Sequence, residues 1–253
     1  MWTITKKIIP NILTSFNLLS GCLALVFVFR HEFEIVAYFM FFSVFFDFCD
    51  GLSARALKAY SALGVQLDSL ADMVSFGVVP AAMLHQILIK LNPDMLSIPV
   101  FGIPFFGFPF IIAVFSALRL AKFNIDERQH NSFLGLPTPA NAIFTVATVL
   151  AADKYNFIHD ILYCNISIIL ICTVMSILLI CEIPMFALKI NFNENNIIRK
   201  NITKIIFLAI SLIFIILFGF AGLSLSVILY IVLSIIKLLF SKFTKKHIIT
   251  NKN

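Results

Sequence analysis

Residues 47–72 read DFCDGLSARALKAYSALGVQLDSLAD, which places four carboxylates between two strongly apolar stretches. The ten residues before them read AYFMFFSVFF, and the chain continues after them with MVSFGVVPAAML. An ionised carboxylate at membrane depth costs about 2.5–3.5 kcal/mol on insertion scales. Four of them in one stretch therefore predict a bound cation that offsets this cost.

The spacing predicts that the acids converge from two helices. Asp47 and Asp50 are three residues apart and share one helix face, while Gly64, Asp68 and Asp72 form a stripe on the next helix at intervals of four. A short turn between the helices makes them antiparallel neighbours. Because carboxylate oxygens suit hard divalent cations, the cluster predicts a Mg²⁺ or Mn²⁺ site.

Small residues accompany the acids. Gly51, Ala54 and Gly64 remove side-chain bulk beside them and leave room for a substrate to approach the backbone. Small residues in membrane helices also serve close packing, and scattered acids near helix ends are commonly only solvated. The combination of four acids with small residues and Arg55 at fixed offsets favours a functional site.

The composition predicts an integral membrane protein. The 253 residues are 60% hydrophobic and 13% charged, against about 25% charged residues in soluble proteins, and the mean hydropathy is +1.01. We predict an all-α polytopic fold in a single domain, residues 1–253. The five cysteines lie in apolar segments without metal-ligand spacing and are interpreted as small hydrophobes. The net charge of +6 does not indicate a nucleic-acid partner, because membrane topology accounts for its distribution.

Eight apolar segments approach the length that spans about 30 Å of hydrocarbon. They are residues 11–30, 34–58, 62–89, 102–123, 138–152, 160–181, 201–219 and 222–240. Pro104 and Pro109 are expected to kink the fourth. With eight spans, only Arg30, Lys90 and Lys154 of the 19 Lys and Arg residues lie on one side. The positive-inside rule then predicts that both termini, including a basic tail at 241–253, are cytoplasmic. The acids lie in the cytoplasmic half of the bilayer, so we predict an active site between helices near that face.

The pattern D-x2-D-G-x2-A-R-x8-G-x3-D-x3-D is matched at every defined position from Asp47 to Asp72. In this the chain resembles the CDP-alcohol phosphatidyltransferases. The resemblance implies that an alcohol hydroxyl attacks the lipid-side phosphorus of CDP-diacylglycerol and releases CMP. It implies that Asp47, Asp50, Asp68 and Asp72 bind two metal ions, and that Asp72 is the general base. It also implies a homodimer in a bacterial inner membrane.

The resemblance extends to residues expected to contact CDP-diacylglycerol. They are Gly51, Ala54, Arg55, Ser61 and Gly64 in the motif and Asn11, Thr14 and Asn17 in the first predicted helix. The latter three share a helix face, although an ordinary helix start with a proline and polar caps would look similar.

The acceptor is predicted from two further stretches, residues 67–81 and 117–140. They are similar to the branch of the family that uses L-serine, including the segment FLGLPTPA at 133–140. Arg119 and Asn124 are expected to bind the acceptor, since a zwitterion needs a cation for its carboxylate. Interfacial snorkelling is the alternative for Arg119 and the favoured interpretation of Lys122. Glycerol phosphate or inositol phosphate as the acceptor remains an alternative, as does a cation-coupled transporter.

Overall fold

The computed structural model describes residues 2–92, 99–100, 103–125, 133–185 and 197–250, and nearly all of them are helical. The α-helices in these ranges are α1 (Trp2–Phe29), α2 (Phe33–Leu57), α3 (Ala62–Asp72), α4 (Val79–Leu91), α5 (Ile111–Ile125), α6 (Thr138–Lys154), α7 (Asn156–Leu162), α8 (Asn165–Ile180), α9 (Ile197–Phe218) and α10 (Phe220–Thr250). A π-helix (Met73–Val78) joins α3 to α4, and a 3-10 helix (Phe105–Phe110) precedes α5. The predicted all-α class is confirmed.

Several helices have the length and apolarity of membrane spans. Within the described ranges five qualify, namely Ile8–Phe29, Phe33–Leu57, Ala62–Leu91, Gly107–Ile125 and Phe220–Leu239. The helices α7 and α8 would add a sixth span, bent by 79°. Each of the eight predicted segments overlaps with helical structure, but α6 has only 17 residues, and the described part of α9, Ile202–Phe218, is a shorter apolar helix than the five spans. The chain is therefore an integral membrane protein, and the number of eight crossings stays a prediction.

The core is centred on α4, in which every side chain from Val79 to Leu88 is buried. Helices α1, α2, α5, α6 and α8 all contribute side chains to the cluster around it. By contrast, large aromatic side chains on α2 point outward, with Phe41 67% and Phe48 60% exposed. Exposed apolar side chains of this size are what a lipid-facing surface requires, because lipid tails are as apolar as the side chains themselves.

The turn between α2 and α3 is stabilised by two local hydrogen bonds. Lys58 adopts a left-handed conformation with φ 50°, and its N–H donates to the carbonyl oxygen of Arg55 at 3.3 Å. Ser61 then caps α3, since its Oγ accepts from the Gly64 N–H at 3.0 Å. Both helices pack against α1. The turn thus returns the chain toward the acids of α2, as predicted.

The π-helix is held between α1 and α5 by two close approaches. A Cβ added to Gly21 of α1 would collide with the hydroxyl of Ser75 and lie 3.0 Å from its Cα. A Cβ on Gly77 would lie 3.0 Å from the Cβ of Ser116 on α5. The apolar pattern of residues 62–89 predicts an uninterrupted helix, so this break was missed. It begins directly after Asp72 and fixes the direction of that side chain relative to α4.

The expectation of a single kinked helix over 102–123 is wrong. Pro104 ends the short strand β2 (Ile103–Pro104), which pairs antiparallel with β1 (Pro99–Val100). Pro109 lies in the 3-10 helix, and α5 begins only at Ile111. Each proline lacks an N–H donor and clashes with the carbonyl of the preceding turn. Two of them five positions apart disrupt the α-helical turn between them, and the α-helix starts after the second.

A second short ladder ties the start of α6 to the end of α8. Strand β3 (Phe133–Leu134) pairs antiparallel with β4 (Pro184–Met185). Between β3 and α6, Gly135 has φ +78°, and an added Cβ would lie 2.5 Å from the Leu179 carbonyl oxygen near the end of α8. The N–H of Leu136 donates to the Leu178 carbonyl oxygen at 2.8 Å. The segment therefore satisfies open carbonyl groups at the end of α8 and fixes where α6 begins.

The far ends of the helices meet around a cavity of about 440 Å³. It is lined by His31, Glu32, Phe33, Glu34, Ile35, Ile87, Lys90, Asp153 and Tyr163. These residues come from the loops that the eight-segment prediction assigns to one side of the membrane and from the helix ends next to those loops.

The last helix is longer than predicted. Helix α10 continues to Thr250, ten residues past the predicted end of the last segment at 240 and into the predicted basic tail.

Candidate active site

Three of the four motif acids converge as the spacing predicts. One carboxylate oxygen each from Asp47, Asp50 and Asp68 can be chosen so that all three lie within 4.8 Å of one another. Asp47 and Asp50 project from the last turns of α2, and Asp68 projects from the middle of α3. Asp50 is buried, and the other two are partly buried. The three like charges thus share a small, poorly solvated volume.

Asp72 lies one helical turn beyond Asp68, at the end of α3, and is 8% exposed. It is not part of the group of three. Its Oδ1 accepts a hydrogen bond from Asn17 Nδ2 of α1 at 3.1 Å. Asp72 therefore borders the acid cluster on its deeper side, toward the π-helix.

Helix α1 supplies a hydrogen-bond donor to one acid on each of the other two helices. Thr14 Oγ1 lies 2.6 Å from Asp50 Oδ2 and 3.0 Å from the Pro10 carbonyl oxygen. A hydroxyl has one proton, and the shorter contact is typical of donation to a charged oxygen. Together with Asn17 and Asp72, this pair accounts for two of the three polar residues that the sequence places on one face of α1.

The backbone of Asn17 is itself anchored. Its carbonyl oxygen accepts from Ser43 Oγ of α2 at 3.3 Å and from Ser75 Oγ of the π-helix at 3.2 Å. Both serines are fully buried. Neither serine is among the predicted site residues, although a hydroxyl on the buried face of an apolar helix is a signal that indicates such a role. The two hydrogen bonds fix the position of α1 along its axis relative to α2 and the π-helix.

Asn11 meets the start of α3 rather than the acid cluster. A Cβ added to Gly64 would lie 3.1 Å from Asn11 Oδ1 and 3.0 Å from Ser61 Oγ. Gly64 thus permits the close approach of α1 and α3, and Ser61 is the N-cap of α3. These three predicted substrate contacts lie together at the mouth of the site, one turn before Asp68.

Gly51, Ala54 and Arg55 line the other side of the mouth, on the last turns of α2. A Cβ on Gly51 would meet only Arg55 Nη2, at 3.8 Å. Gly51 and Ala54 are partly buried, and Arg55 is exposed. Open space beside Gly51 and an exposed guanidinium next to it are compatible with a phosphate-bearing ligand at this edge of the acids.

The predicted acceptor residues occupy different depths of α5. Arg119 is 8% exposed and lies within electrostatic range of Asp72 and of Tyr230 on α10. Asn124 lies nearer the mouth, where its Nδ2 donates to Ser69 Oγ at 2.9 Å. Lys122, interpreted as a snorkelling residue, instead forms an exposed ion pair with Glu182 at 3.2 Å.

The donor set fits a hard divalent cation. Besides the convergence of three carboxylates, Asp68 Oδ1 is buried without a hydrogen-bond partner among the described residues. An orphaned buried carboxylate oxygen facing two other acids is costly unless a cation or a proton neutralises it. The ligands are all oxygen, as Mg²⁺ and Mn²⁺ prefer, so the arrangement can hold such an ion beside the open edge at Gly51.

Comparisons with known proteins agree with this arrangement. A family model described as CDP-alcohol phosphatidyltransferase matches residues 7–169, the part of the chain that contains the site. A protein of Helicobacter pylori J99 named CDP-diacylglycerol--serine O-phosphatidyltransferase is 31% identical over 152 residues, which are 59% of this chain and 60% of that protein. The chain thus matches less than two thirds of that relative's length.

Two relatives with the same printed name are covered more fully. The Bacillus subtilis 168 protein is 34% identical over 131 residues, 52% of this chain and 69% of the relative. The Methanocaldococcus jannaschii protein is 33% identical over 172 residues, 68% of this chain and 75% of the relative. The matches are long enough to identify the family of this chain.

Proposed function

Because the chain belongs to the CDP-alcohol phosphatidyltransferase family, and is therefore a transferase of phospholipid biosynthesis, we propose that it transfers the phosphatidyl group of CDP-diacylglycerol to L-serine. The products are phosphatidylserine and CMP. The observation that carries the proposal is the convergence of Asp47, Asp50 and Asp68 beside Asp72 and Arg119. The printed names of the relatives support serine as the acceptor.

The acids are proposed to hold two divalent cations, Mg²⁺ or Mn²⁺. Asp47, Asp50 and Asp68 offer the converging oxygens, and Asp72 borders them. When bound, the metal ions would neutralise phosphate charge and stabilise the leaving phosphate oxygen. Thr14 and Asn17 keep Asp50 and Asp72 in fixed orientations through their hydrogen bonds, as residues that hydrogen-bond to metal ligands commonly do.

The residues at the mouth are proposed to receive the nucleotide and its diphosphate. Gly51 leaves the space, and the planar Arg55 guanidinium can bind two phosphate oxygens at once. Asn11, Ser61 and Gly64 form the opposite wall. The lipid chains of the substrate would extend along the exposed apolar surface, so that the reacting phosphorus reaches the acids from the membrane.

Asp72 is proposed to act as the general base. The serine hydroxyl oxygen forms a bond to the lipid-side phosphorus while the bond from that phosphorus to the CMP oxygen breaks. The hydroxyl proton passes to Asp72, which the Asn17 amide orients through its other oxygen. Arg119, buried on the deeper side of Asp72, is proposed to bind the serine carboxylate.

The proposed topology has both termini and the acids on the cytoplasmic side of a bacterial inner membrane, in agreement with the positive-inside rule. A homodimer is proposed from the family resemblance. Labelling of single cysteines introduced at Lys6 and Lys90 in intact cells would test the orientation, because only the second is expected to react with a membrane-impermeant reagent.

The decisive experiment is an assay of CMP release from CDP-diacylglycerol by the purified protein. It is run in parallel with L-serine, glycerol 3-phosphate and inositol phosphate, and each lipid product is identified by mass spectrometry. We expect rapid release with serine only. Release with a phosphorylated acceptor but not with serine would show that serine is not the acceptor. No release with any of the three would refute the proposed reaction.

A further inference from the structure

The first turn of α6 carries buried polar groups that the proposed reaction has not used. Thr138 and Asn141 are one turn apart, and each is 0% exposed. The Thr138 hydroxyl and both amide atoms of Asn141 have no hydrogen-bond partner among the described residues. Buried polar side chains are satisfied in the large majority of cases. A wholly unpaired amide and a hydroxyl on one helical turn therefore indicate a place where a ligand supplies the missing bonds.

Arg119 of α5 shares this character. It is 8% exposed, and its Nε has no hydrogen-bond partner among the described residues. A buried guanidinium nitrogen without an acceptor is among the most costly groups to leave unpaired. We refer to Arg119, Thr138 and Asn141 together as the α5–α6 polar group.

Three observations bring this group to one region beside Asp72. Arg119 lines a narrow pocket together with Leu134, which lies four residues before Thr138. Arg119 is also in electrostatic range of both Asp72 and Tyr230, and Tyr230 packs in a cluster with Leu136, on the segment that enters α6. Helix α6 in turn packs on the π-helix that follows Asp72. The polar group thus lies on α5 and α6, two of the helices that pack on the π-helix directly after the proposed base.

The chemistry of the group matches an amino acid. The guanidinium Nε and Nη atoms form a fork suited to a carboxylate. The Asn141 Oδ1 can accept from an ammonium, while its Nδ2 and the Thr138 hydroxyl can donate to a carboxylate. A phosphorylated acceptor would bring a second negative charge next to Asp72, and Lys122, the other cation that lines the pocket of Arg119, is already paired with Glu182 at 3.2 Å. The set therefore favours a zwitterion over a phosphate ester.

We propose that Thr138 and Asn141, together with Arg119, form the subsite that binds the ammonium and carboxylate of the acceptor amino acid and so determine acceptor specificity. This inference rests on the proposed serine transfer. The contacts of Gly135 and Leu136 with the end of α8 fix where α6 begins. These contacts thereby position Thr138 and Asn141 on the first turn of α6.

The test uses the purified full chain with Thr138→Val and Asn141→Leu. Each change removes polar atoms at nearly constant volume. We expect KM for serine to rise about tenfold or more in each variant, with KM for CDP-diacylglycerol within about twofold of wild type. Since the lost groups have no hydrogen-bond partner among the described residues, the melting temperature should stay constant or rise. The matched control is Thr145→Val, one turn further along α6, whose hydroxyl donates to the Asn141 carbonyl oxygen within the same helix at 3.1 Å.

A third variant, Asn141→Asp, tests the same subsite by gain of function. The new carboxylate competes with that of serine for Arg119, so the use of ethanolamine, which has no carboxylate, should rise about tenfold relative to serine. This ratio remains measurable if the leucine variant does not fold.

Each outcome bears on a different claim. If wild-type protein releases no CMP with serine, the proposed function fails before any variant is compared. If wild type is active but serine KM is unchanged in both isosteric variants, the subsite is refuted. It is also refuted if the melting temperature falls and both KM values rise together, because that pattern indicates a structural role.

Discussion

Asn17 on α1 donates its side-chain amide to Asp72 on α3 at 3.1 Å, and its own backbone carbonyl oxygen is held by serines of α2 and the π-helix. One residue of the first helix therefore links the proposed base to both of the other helices that form the site. We expect Asn17→Ala to lower kcat by about 10- to 100-fold, the usual cost of losing an orienting partner, with little change in CDP-diacylglycerol binding. The control is Ser15→Ala, which removes only an exposed bond to the Asn11 carbonyl oxygen. Normal turnover in the Asn17 variant would show that Asp72 needs no orientation.

The hydrogen bond from Thr14 to Asp50 predicts a specific effect on metal affinity. Thr14→Val keeps the volume of the side chain but removes the donor at 2.6 Å from Asp50 Oδ2. The concentration of Mg²⁺ or Mn²⁺ needed for half-maximal activity should rise about tenfold. Thr14→Ser retains the hydroxyl and should restore most of the affinity. Equal metal requirements in the three proteins would mean that the contact does not tune the site.

Removal of metal should abolish turnover. EDTA is expected to stop CMP release, and added Mg²⁺ or Mn²⁺ should restore it, because three converging carboxylates need a cation to approach a diphosphate. Asp47→Ala, Asp50→Ala and Asp68→Ala should each be inactive while eluting normally in size-exclusion chromatography. Full activity in a preparation verified as metal-free by elemental analysis is the result that contradicts the two-metal proposal.

Two glycines should separate an effect on binding from an effect on folding. Gly51→Leu enters open space beside Arg55 Nη2, so it should block CDP-diacylglycerol while leaving the melting temperature near that of wild type. Gly21→Ala places a methyl group against the backbone of Ser75 and should lower the melting temperature, since overpacking costs about 1–3 kcal/mol. Arg55→Lys keeps the charge but loses the planar fork, and it should also weaken the nucleotide substrate. If both the Gly51 and Arg55 variants bind CDP-diacylglycerol with wild-type affinity, the diphosphate does not bind at this edge of the acids.

The base and the acceptor contact can be distinguished kinetically. Asp72→Asn keeps the shape and one oxygen but cannot take a proton, so kcat should fall by about 10²- to 10⁴-fold. Arg119→Ala should instead raise KM for serine by about tenfold to a hundredfold, through the loss of a charge-assisted bond. Steady-state measurements of both parameters on both variants give the answer. Near-normal kcat in Asp72→Asn would remove the base assignment, and an unchanged KM in Arg119→Ala would return that residue to a packing role.

The sequence predicts the acid cluster well because helical periodicity alone decides which side chains share a face. Asp47 with Asp50, and Asp68 with Asp72, follow from intervals of three and four. The partners of Thr14 and Asn17 could not be predicted in the same way. Their common face on α1 is visible in the sequence, but the side chains that this face meets depend on distances between helices, which periodicity does not contain.

Breaks in the helices were the other part that the sequence could not supply. Both prolines before α5 are visible in the sequence, yet their combined effect exceeds a kink, because two prolines within one and a half turns disrupt the hydrogen bonds of the turn between them. The π-helix gives no comparable signal. The segment MVSFGV is an ordinary apolar stretch, and the wider turn becomes favourable only where Gly21 and Gly77 allow α1 and α5 to approach it.

The π-helix at Met73–Val78 also makes the site sensitive to the length of the chain, independently of which residues occupy it. Such a turn holds one residue more than an α-helical turn in the same rise. Deleting one residue within it would restore a regular helix and rotate α3 by about 100° relative to α4. Asp68 and Asp72 would then face away from Asp47 and Asp50 although every acid was still present. Evolution of this stretch is thereby constrained against single-residue deletions, even where several substitutions would be tolerated.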